Sequence, residues 1–331
     1  MYRLLEAYRA KALCGNLSTR LVLGIFLWLM LVAGAYAEDS PQRILLQLKW
    51  HHQFQFAGYY AAQLKGFYQD ENLDVVLIEG GTDKPPMQQV LSGAADYSIG
   101  DADILLAHVA GKPVVAIASI FQHSPYILLS LQQGNIHHPG DLVGKRVMLS
   151  NDQGAAQFRA VMMKEGIGLE NVEIVPHSWN LDDLIEGRVD AVSAYATVEP
   201  SYLRARGHEL NVLHSQDYGV DFYGDTLFTT KQEVQDHPER VAAFLRATRK
   251  GWSYAFAHPD EVVTYILGLD GVAERGVTRE MLLAEARDME PYVLVDVVEP
   301  GHMNIGRWEA TAATLAKLGM MPALYDLSEF V

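Results

Sequence analysis

The sequence predicts an α/β protein made of two similar lobes. Short strand-like runs alternate with helical segments along most of the chain, a pattern typical of parallel strands joined by crossover helices. A sequence pattern at residues 90–99 returns at 184–193. The chain has 331 residues, which is too long for one hydrophobic core of ordinary size. Two lobes, each with its own sheet, account for these three observations.

The first 37 residues have the form of a secretory leader. Four basic residues, opposed only by Glu6, precede an apolar run over residues 21–33. Ala35-Tyr36-Ala37 follows with the small-x-small form of a cleavage site, so we predict a signal peptide over residues 1–37 and a periplasmic mature chain. A retained membrane anchor is the alternative, although the apolar stretch, counted to the cleavage site, has about 17 residues at most and is marginal for crossing a bilayer.

Charge and cysteine content exclude several classes of function. The chain carries 26 Lys and Arg against 41 Asp and Glu, and four of the former and one of the latter lie in the leader, so residues 38–331 have a net charge of −18. This surface repels phosphate backbones, and we expect no nucleic-acid partner. The only cysteine, Cys14, lies in the leader. The mature chain therefore has no disulfide, thiolate metal site or cysteine nucleophile.

Each β-strand is expected where a short run of β-formers ends at a turn signal, and each helix where the apolar spacing becomes helical. The predicted strands are Ile44–Lys49, Val75–Glu79, Tyr97–Gly100, Val114–Ser119, Arg146–Leu149, Val172–Pro176, Ala191–Ala194 and Asn211–Leu213. The predicted helices between them are Ala57–Lys65, Pro86–Leu91, Ala102–Ala110, Ala155–Lys164, Leu181–Glu186 and Val198–Arg206.

From Pro238 onward the pattern becomes wholly helical. Proline stands at two helix starts, where its missing N–H and fixed φ are favourable. The predicted helices are Pro238–Phe256, Pro259–Leu267, Thr278–Arg287 and Asn304–Leu318. Trp252 and Trp308 occur at apolar helical spacing, so we interpret them as packing residues.

The internal repeat has a physical basis. In both copies a helix ends, Gly93 or Gly187 supplies the left-handed C-cap, and Asp96 or Asp190 follows three residues later, just before a strand. The copies lie about a hundred residues apart, much farther than the spacing of a solenoid repeat. Two lobes of the same construction are the interpretation we prefer; chance similarity of common αβ turns is the alternative.

The segment from Gln47 to Tyr68 is the strongest candidate for a ligand site. A strand there gives way to a turn rich in aromatic and amide side chains, and a helix follows. In open α/β sheets, ligands bind outside the carboxyl ends of strands, where this turn would lie. Burying every side chain of the turn would require a partner for each His and Gln, so we favour a site over a core.

Several segments together resemble the bacterial NMT1/THI5-like substrate-binding proteins. The segments that carry the resemblance are Trp50-x-x-Gln53-Phe54-x-Phe56-Ala57-Gly58-Tyr59-Tyr60-Ala61-Ala62, Lys65-Gly66-Phe67-Tyr68, Ser98-Ile99-Gly100-Asp101-Ala102, Ser193-Ala194-Tyr195-x-Thr197-x-Glu199-Pro200 and Phe222-Tyr223-Gly224-Asp225-x-Leu227-Phe228. Together they cover about residues 43–320, nearly the whole mature chain. The group shares its fold with the sulfonate- and nitrate-type receptors of ABC transporters.

The resemblance implies a type II periplasmic-binding-protein fold, in which two α/β lobes are joined by a two-stranded hinge. We place the crossovers near 127–131 and 226–230. Lobe 1 would then comprise residues 38–130 and 226–331, and lobe 2 residues 131–225. The resemblance also implies a monomer that closes over a small ligand and delivers it to an ABC permease in the inner membrane.

The resemblance and the strand-end rule give twelve candidate ligand-binding residues. The flat ones are Trp50, Phe54, Tyr59, Tyr126, Tyr195 and Tyr223, and the acceptors and amides are Gln53, Asp101, Gln122, Gln153, Glu199 and Asp225. Aromatic faces sandwich a planar ring, and carboxylates accept hydrogen bonds from amino groups. This chemistry favours a nitrogen heterocycle such as a thiamine pyrimidine precursor. A sulfonate or nitrate would need a basic cluster, and Lys49 and Arg159 do not make one.

Structural roles are open for three of the acidic candidates. Asp101 could cap the helix expected at Ala102, Glu199 could cap the helix that follows it, and Asp225 could order a turn. Adjacent histidines diverge on any regular element, so we expect no metal site and no cofactor.

We do not expect an enzyme. The chain has no GxSxG elbow, P-loop or CxxC motif. Eukaryotic members of the family that synthesise the thiamine pyrimidine have a cysteine-rich motif, and this chain has Tyr223-Gly224-Asp225-Thr226-Leu227-Phe228 at the matching place. A ligand-sensing partner of a membrane signalling protein is the second hypothesis, and pyrimidine synthesis is the third.

Overall fold

A computed structural model describes residues 40–150 and 153–331, with only the backbone described at 153 and 154. The predicted leader lies outside the described residues. Within the described part of the chain, no helix is long and apolar enough to cross a membrane. The structure consists of two five-stranded sheets covered by helices.

The first sheet belongs to lobe 1. Its strands, in spatial order, are β2 (Leu73–Ile78), β1 (Gln42–Gln47), β3 (Tyr97–Gly100), β10 (Thr226–Thr230) and β4 (Val114–Ser119). Strand β1 pairs in parallel with β2 and β3, whereas β10 is antiparallel to both of its neighbours. Strand β10 runs in the opposite direction because it enters this sheet from the other lobe.

The second sheet belongs to lobe 2. Its strands, in spatial order, are β7 (Glu173–Pro176), β6 (Arg146–Leu149), β8 (Ala191–Tyr195), β5 (Tyr126–Leu131) and β9 (Leu210–His214). Here β6 pairs in parallel with β7 and β8, and β5 is antiparallel to β8 and β9. The order within each lobe is the same, including one antiparallel strand that arrives from the other lobe. The structure therefore confirms the similarity of the lobes that the internal repeat predicts.

The helices lie close to their predicted positions. The helices are α1 (Ala57–Leu64), α2 (Pro86–Leu91), α3 (Asp103–Val109), α4 (Gln153–Lys164), α5 (Asp182–Ile185), α6 (Glu199–Ala205), α7 (Lys231–Asp236), α8 (Pro238–Ala257), α9 (Pro259–Leu267), α10 (Arg279–Val293) and α11 (Ile305–Lys317). The sequence analysis does not predict α7, which is only six residues long. Helix α10 continues beyond its predicted end at Arg287, through Pro291.

Two links join the lobes, and they are hydrogen bonded to each other. The first, residues 120–125, connects β4 to β5, and the second, residues 215–225, connects β9 to β10. The Ile120 N–H donates to the Asp225 carbonyl at 2.8 Å, and the Gly224 N–H donates to the Phe121 carbonyl at 3.0 Å. The predicted crossover positions, 127–131 and 226–230, belong to strands β5 and β10, so each link lies just before its predicted position.

The core of lobe 1 depends on a close helix contact. Trp252 of α8 is fully buried and lies against Gly58 of α1, where a Cβ atom would be 2.2 Å from the indole ring. Gly251 meets the Gly58 carbonyl in the same way, at 2.1 Å. Both glycines are needed for the two backbones to approach. Trp308 is also fully buried, so the prediction that both tryptophans are packing residues is confirmed.

Candidate functional site

A cleft of about 540 Å³ lies between the lobes at the carboxyl ends of their parallel strands. Lys49 follows β1 and Asp101 follows β3 in lobe 1, while Ser150 follows β6 and Tyr195 ends β8 in lobe 2. The side chains that line the cleft are Lys49, Trp50, Gln53, Gln55, Thr82, Pro85, Pro86, Ile99, Asp101, Asp103, Tyr126, Ser150, His177, Trp179, Ser193, Ala194, Tyr195, Val198 and Glu199.

Lys49 is at the centre of the charged groups. Its Nζ lies 2.7 Å from Asp101 Oδ2 and 2.9 Å from Asp225 Oδ1, and all three side chains are at most 13% exposed. The same Nζ donates to the Tyr195 hydroxyl at 2.5 Å, which connects lobe 1 to lobe 2. Burial disfavours the ammonium ion, but attraction to Asp101 and Asp225 outweighs burial and holds the pKa of Lys49 well above its usual value.

Two carboxyl groups of the cleft have raised pKa values. Burial raises the pKa of Asp101 to about 7, although Lys49 opposes the shift. Asp101 Oδ1 is buried and has no hydrogen-bond partner. Burial also raises the pKa of Glu199 to about 6, opposed by the hydrogen bond of 2.8 Å that its carboxylate accepts from the Tyr195 N–H. Asp101 is therefore the carboxylate best placed to accept a hydrogen bond from a ligand.

Aromatic rings from both lobes surround these charged groups. Tyr126 and Tyr195 meet edge to face with ring centroids 4.7 Å apart, and the Lys49 Nζ is 5.1 Å from the Tyr195 centroid. Across the cleft, Trp50 of lobe 1 lies 5.1 Å from Trp179 of lobe 2. Planar surfaces of this kind bind planar ligands by stacking.

Trp179 has an unusual backbone conformation. Its φ is +61°, in the left-handed region that side chains other than Gly, Asn and Asp seldom adopt. The His177 Nδ1 accepts a hydrogen bond from the Trp179 N–H at 2.9 Å, and the two rings are 4.4 Å apart. Since Nδ1 accepts, the His177 proton is on Nε2, which donates to the Ser193 carbonyl at 3.0 Å. These contacts hold Trp179 at the mouth of the cleft, where its side chain is 54% exposed.

A buried glutamate supports the turn after β1 from behind. Glu285 of α10 is 5% exposed and accepts hydrogen bonds from the Phe54 N–H at 2.8 Å and the Gln55 N–H at 3.0 Å. Burial raises the pKa of Glu285 to about 8, against the effect of these two bonds. The Gln55 side chain then reaches Asp225, because its Nε2 donates to Asp225 Oδ2 at 2.7 Å.

Six of the twelve predicted site residues line the cleft. They are Trp50, Gln53, Asp101, Tyr126, Tyr195 and Glu199. Asp225 lies beneath the cleft floor, where Lys49 and Gln55 bind its carboxylate. Asp101 does not cap the helix after it, since Ala102 is the N-cap and no side chain caps this helix. The side chain of Gln153 lies outside the described residues.

Four predicted residues lie in the core, away from the cleft, which corrects their predicted place in the site. They are Phe54, Tyr59, Gln122 and Tyr223, each at most 4% exposed. Phe54 contacts Phe256 and Tyr59 contacts Trp252, both on α8, with ring centroids 6.1 Å and 5.6 Å apart. Gln122 Nε2 donates to the Ser119 and His302 carbonyls, and the Tyr223 hydroxyl accepts from the Asn304 N–H.

Among the cleft residues that were not predicted are four that shape its chemistry: Lys49, Gln55, His177 and Trp179. Gln55 lies in the predicted turn and Lys49 ends the predicted strand before it, so the strand-end rule alone would have included Lys49. Lys49 was set aside because it makes no basic cluster, whereas the structure shows that its partners are acidic. No sequence signal marks Trp179, since its left-handed φ becomes evident only in the structure.

Comparisons with known proteins agree with this architecture. The family model described as NMT1/THI5 like matches residues 53–262. The formylaminopyrimidine-binding protein of Halalkalibacterium halodurans is 27% identical over 235 residues, which are 70% of this chain and 71% of that protein. The 4-amino-5-hydroxymethyl-2-methylpyrimidine phosphate synthase of Legionella pneumophila is 25% identical over 229 residues, 68% of this chain and 72% of that protein.

Among solved structures, the alkanesulfonate-binding protein SsuA from Xanthomonas axonopodis pv. citri, bound to MOPS, superposes with a TM-score of 0.67. The match has 13% sequence identity and covers 86% of this chain and 96% of that chain. At this identity the likeness concerns the fold, and it confirms the predicted pair of α/β lobes of a periplasmic binding protein.

Proposed function

Since the chain belongs to the NMT1/THI5-like family, we propose that it is a non-catalytic solute-binding protein whose lobes close over a small nitrogen heterocycle. The proposed ligand class is that of the thiamine pyrimidine precursors. The proposal also includes secretion to the periplasm through the leader at residues 1–37 and delivery of the ligand to an ABC permease. A sensing role would use the same binding step with a different membrane partner.

The charge balance of the cleft is the main observation that supports the proposed ligand class. Lys49 is the only Lys or Arg among the described residues of the lining, and Asp101 and Asp225 already bind its ammonium. Asp103 and Glu199 line the same cleft. A sulfonate or nitrate would therefore meet acidic groups and no free cation, whereas an amino group or a protonated ring nitrogen would find acceptors.

The aromatic lining supports a planar ligand. Trp50 and Trp179 approach from opposite lobes, and Tyr126 and Tyr195 cover the charged floor. A pyrimidine between such faces buries both sides of its ring and presents its polar edge to the carboxylates. The binding protein from Halalkalibacterium halodurans, named for a formylaminopyrimidine, is consistent with this class.

A synthase activity is the alternative that the relative from Legionella pneumophila raises. Residues 38–331 contain no cysteine, and residues 223–228 have no cysteine-rich motif, in contrast to the eukaryotic synthases that the sequence analysis considered. We therefore propose that the bound pyrimidine leaves the protein unchanged. Chromatography of the ligand after prolonged incubation would test this, since any new pyrimidine product would contradict a purely binding role.

Thermal unfolding with candidate ligands tests the proposed class. We expect a formylaminopyrimidine at a hundred times its Kd to stabilise the protein by about 2.7 kcal/mol, a shift in Tm of about 4–5 °C. Glu199→Ala should reduce the shift, and Glu165→Ala, a substitution away from the cleft, should retain it. Stabilisation by alkanesulfonates alone would contradict the proposed ligand class and leave the fold assignment intact.

A further inference from the structure

Two amide side chains connect the buried carboxylate of Asp225 to the cleft. Gln55 Nε2 donates to Asp225 Oδ2 at 2.7 Å, and Gln53 Nε2 donates to Gln55 Oε1 at 2.5 Å. Gln55 is 2% exposed, whereas Gln53 is half-buried and lines the cleft. The chain of bonds thus begins at a buried charge and ends at the ligand cleft.

The negative charge of Asp225 determines the orientation of the Gln55 and Gln53 side-chain amides. Asp225 is paired with the Lys49 ammonium, so its carboxylate can only accept hydrogen bonds. Gln55 must therefore turn its NH₂ group toward Asp225 and its carbonyl oxygen toward Gln53. The reverse orientation would place a carbonyl against a carboxylate in a site closed to water. Gln53 must then donate to Gln55, which leaves Gln53 Oε1 as an acceptor with no other partner among the described residues.

A second acceptor belongs to the same cleft. Asp101 Oδ1 is buried without a partner, while Lys49 holds the other oxygen of this carboxylate at 2.7 Å. Lys49 therefore fixes the Asp101 carboxylate in place while one oxygen stays available. Above about pH 7, where Asp101 is ionised, both Gln53 Oε1 and Asp101 Oδ1 require a hydrogen-bond donor.

We propose that Gln55 is a positioning residue that sets the hydrogen-bond polarity of the cleft, so that Gln53 Oε1 and Asp101 Oδ1 together select ligands with a donor on the ring edge. This inference rests on the proposed function and narrows its ligand class. A 4-amino group on the ring satisfies the acceptors. A 4-oxo group at the same position sets oxygen against oxygen; the ring N–H beside it can serve one acceptor, but the other is left buried without a donor.

A matched pair of small ligands tests the proposal. 4-Amino-2-methylpyrimidine and 2-methylpyrimidin-4-one have nearly the same shape and differ at the group that meets the acceptors. Isothermal titration calorimetry of the full chain with each ligand at pH 8, where Asp101 is ionised, gives the ratio of their Kd values. We expect the amino compound to bind about tenfold or more tightly than the oxo compound.

The ratio of the two Kd values, measured in variants, distinguishes a positioning role of Gln55 from a purely structural role. Gln55→Met removes the fixed orientation and should reduce the ratio at least about threefold, because the Gln53 amide can then turn to suit either ligand. Gln63→Met is the control, since Gln63 binds the Val75 carbonyl at 2.7 Å outside the cleft lining. Asp225→Asn gives a second measurement that does not depend on whether Gln55→Met folds. The amide introduced at position 225 can donate to Gln55, which should reverse the orientation of the Gln55 and Gln53 amides and favour the oxo compound.

Each result decides the proposal. A reduced ratio in Gln55→Met or Asp225→Asn, with an unchanged ratio in Gln63→Met, supports it. Equal binding of the two pyrimidines by the original protein, or a loss of affinity that is the same for both in the variants, overturns it and leaves the proposed function intact. Binding of neither pyrimidine overturns the proposed ligand class together with this inference.

Discussion

The two walls of the cleft are built in different ways. The first wall, from lobe 1 and the hinge, consists of Lys49, Gln55, Asp101 and Asp225, which are buried or nearly so and bind one another. The second wall, from lobe 2, consists of His177, Trp179 and Glu199, which are more exposed and rest mainly on local contacts, while Tyr195 links it to Lys49. The first wall therefore combines ligand recognition with folding stability, whereas the second wall can change with little cost to folding.

The reason lies in desolvation. A charge removed from water needs its partners, so removing one member of the first wall leaves the others uncompensated. An aromatic side chain that is half exposed in the folded protein has gained less from folding, and its loss costs less.

Lys49→Met should have the largest effect on stability. It leaves Asp101 and Asp225 buried without their ammonium, and we expect the free energy of unfolding to fall by about 3–5 kcal/mol. Urea unfolding at pH 8 measures this change. The loss should be smaller at pH 5, because protonation of Asp101 then relieves the repulsion.

Lys231→Met is the matched control for this prediction. Lys231 pairs with Glu329 at 2.6 Å on the surface, where the Glu329 side chain is 76% exposed, so water screens the pair and its loss should cost much less than that of Lys49. Equal losses in the two variants would contradict the contrast between the buried cluster and the surface.

Glu285→Gln should change how stability depends on pH. The pKa of Glu285 is about 8 in the folded protein and near 4.5 in the unfolded chain, so the folded state retains a proton that the unfolded state releases between these values. The stability that Glu285 contributes is thus complete below about pH 4.5 and is lost as the pH rises through 8. At about 1.4 kcal/mol for each pH unit between the two pKa values, we expect this contribution to be about 5 kcal/mol.

The variant carries no titrating group at this position, so stability should fall less between pH 5 and pH 8 than in the original protein. At pH 5 the variant should itself be about 1 kcal/mol less stable, because its amide can accept from only one of the Phe54 and Gln55 N–H groups. Glu290→Gln, an exposed position on the same helix, is the control for urea unfolding at both pH values. If the free energy of unfolding of Glu285→Gln depended on pH in the same way as that of the original protein, the raised pKa of Glu285 would be refuted.

Trp179→Gly should affect ligand binding more than folding. Glycine adopts the φ of +61° without strain, which offsets the lost contacts with Trp50 and His177, and the free energy of unfolding should change by less than about 1 kcal/mol. The Kd for a formylaminopyrimidine should rise about two- to tenfold, as expected for one aromatic contact.

Tyr202→Ala serves as the comparison for Trp179→Gly. Tyr202 is also a partly exposed aromatic residue of lobe 2, but it is not in the cleft lining. The Kd of the Tyr202→Ala variant for the formylaminopyrimidine should therefore not change. Calorimetric titration and urea unfolding give the two quantities. A loss of more than about 2 kcal/mol in Trp179→Gly would show that the second wall also supports the fold.

Much of the fold can be predicted from the sequence because its signals are local. Strands such as Tyr97–Gly100 and Arg146–Leu149 agree at both ends, since glycine or an acidic turn residue marks their limits. Helix α10 does not end where predicted, at Arg287, because packing of Met289 and Tyr292 in the core extends it through Pro291. Tertiary packing there outweighs the unfavourable effect of proline.

The candidate site was predictable in part for the same reason. The strand-end rule leads to Trp50, Asp101 and Tyr195, because position along a parallel strand is a local property. The rule cannot separate Gln53, which lines the cleft, from Phe54, which faces the core, because adjacent residues of a tight turn point in different directions. Gln55 was missed because its role depends on Asp225, which lies 170 residues away.

The sequence by itself determined the class of this protein: an acidic chain of two similar α/β lobes, with aromatic and amide-rich turns at the ends of its strands. Only the tertiary structure decided which of these side chains form the site and in what state of charge. Lys49, Asp101 and Asp225 come together from β1, β3 and the second link of the hinge. Their pairing and burial, which control both stability and ligand polarity, depend on distances between segments that the order of residues does not contain.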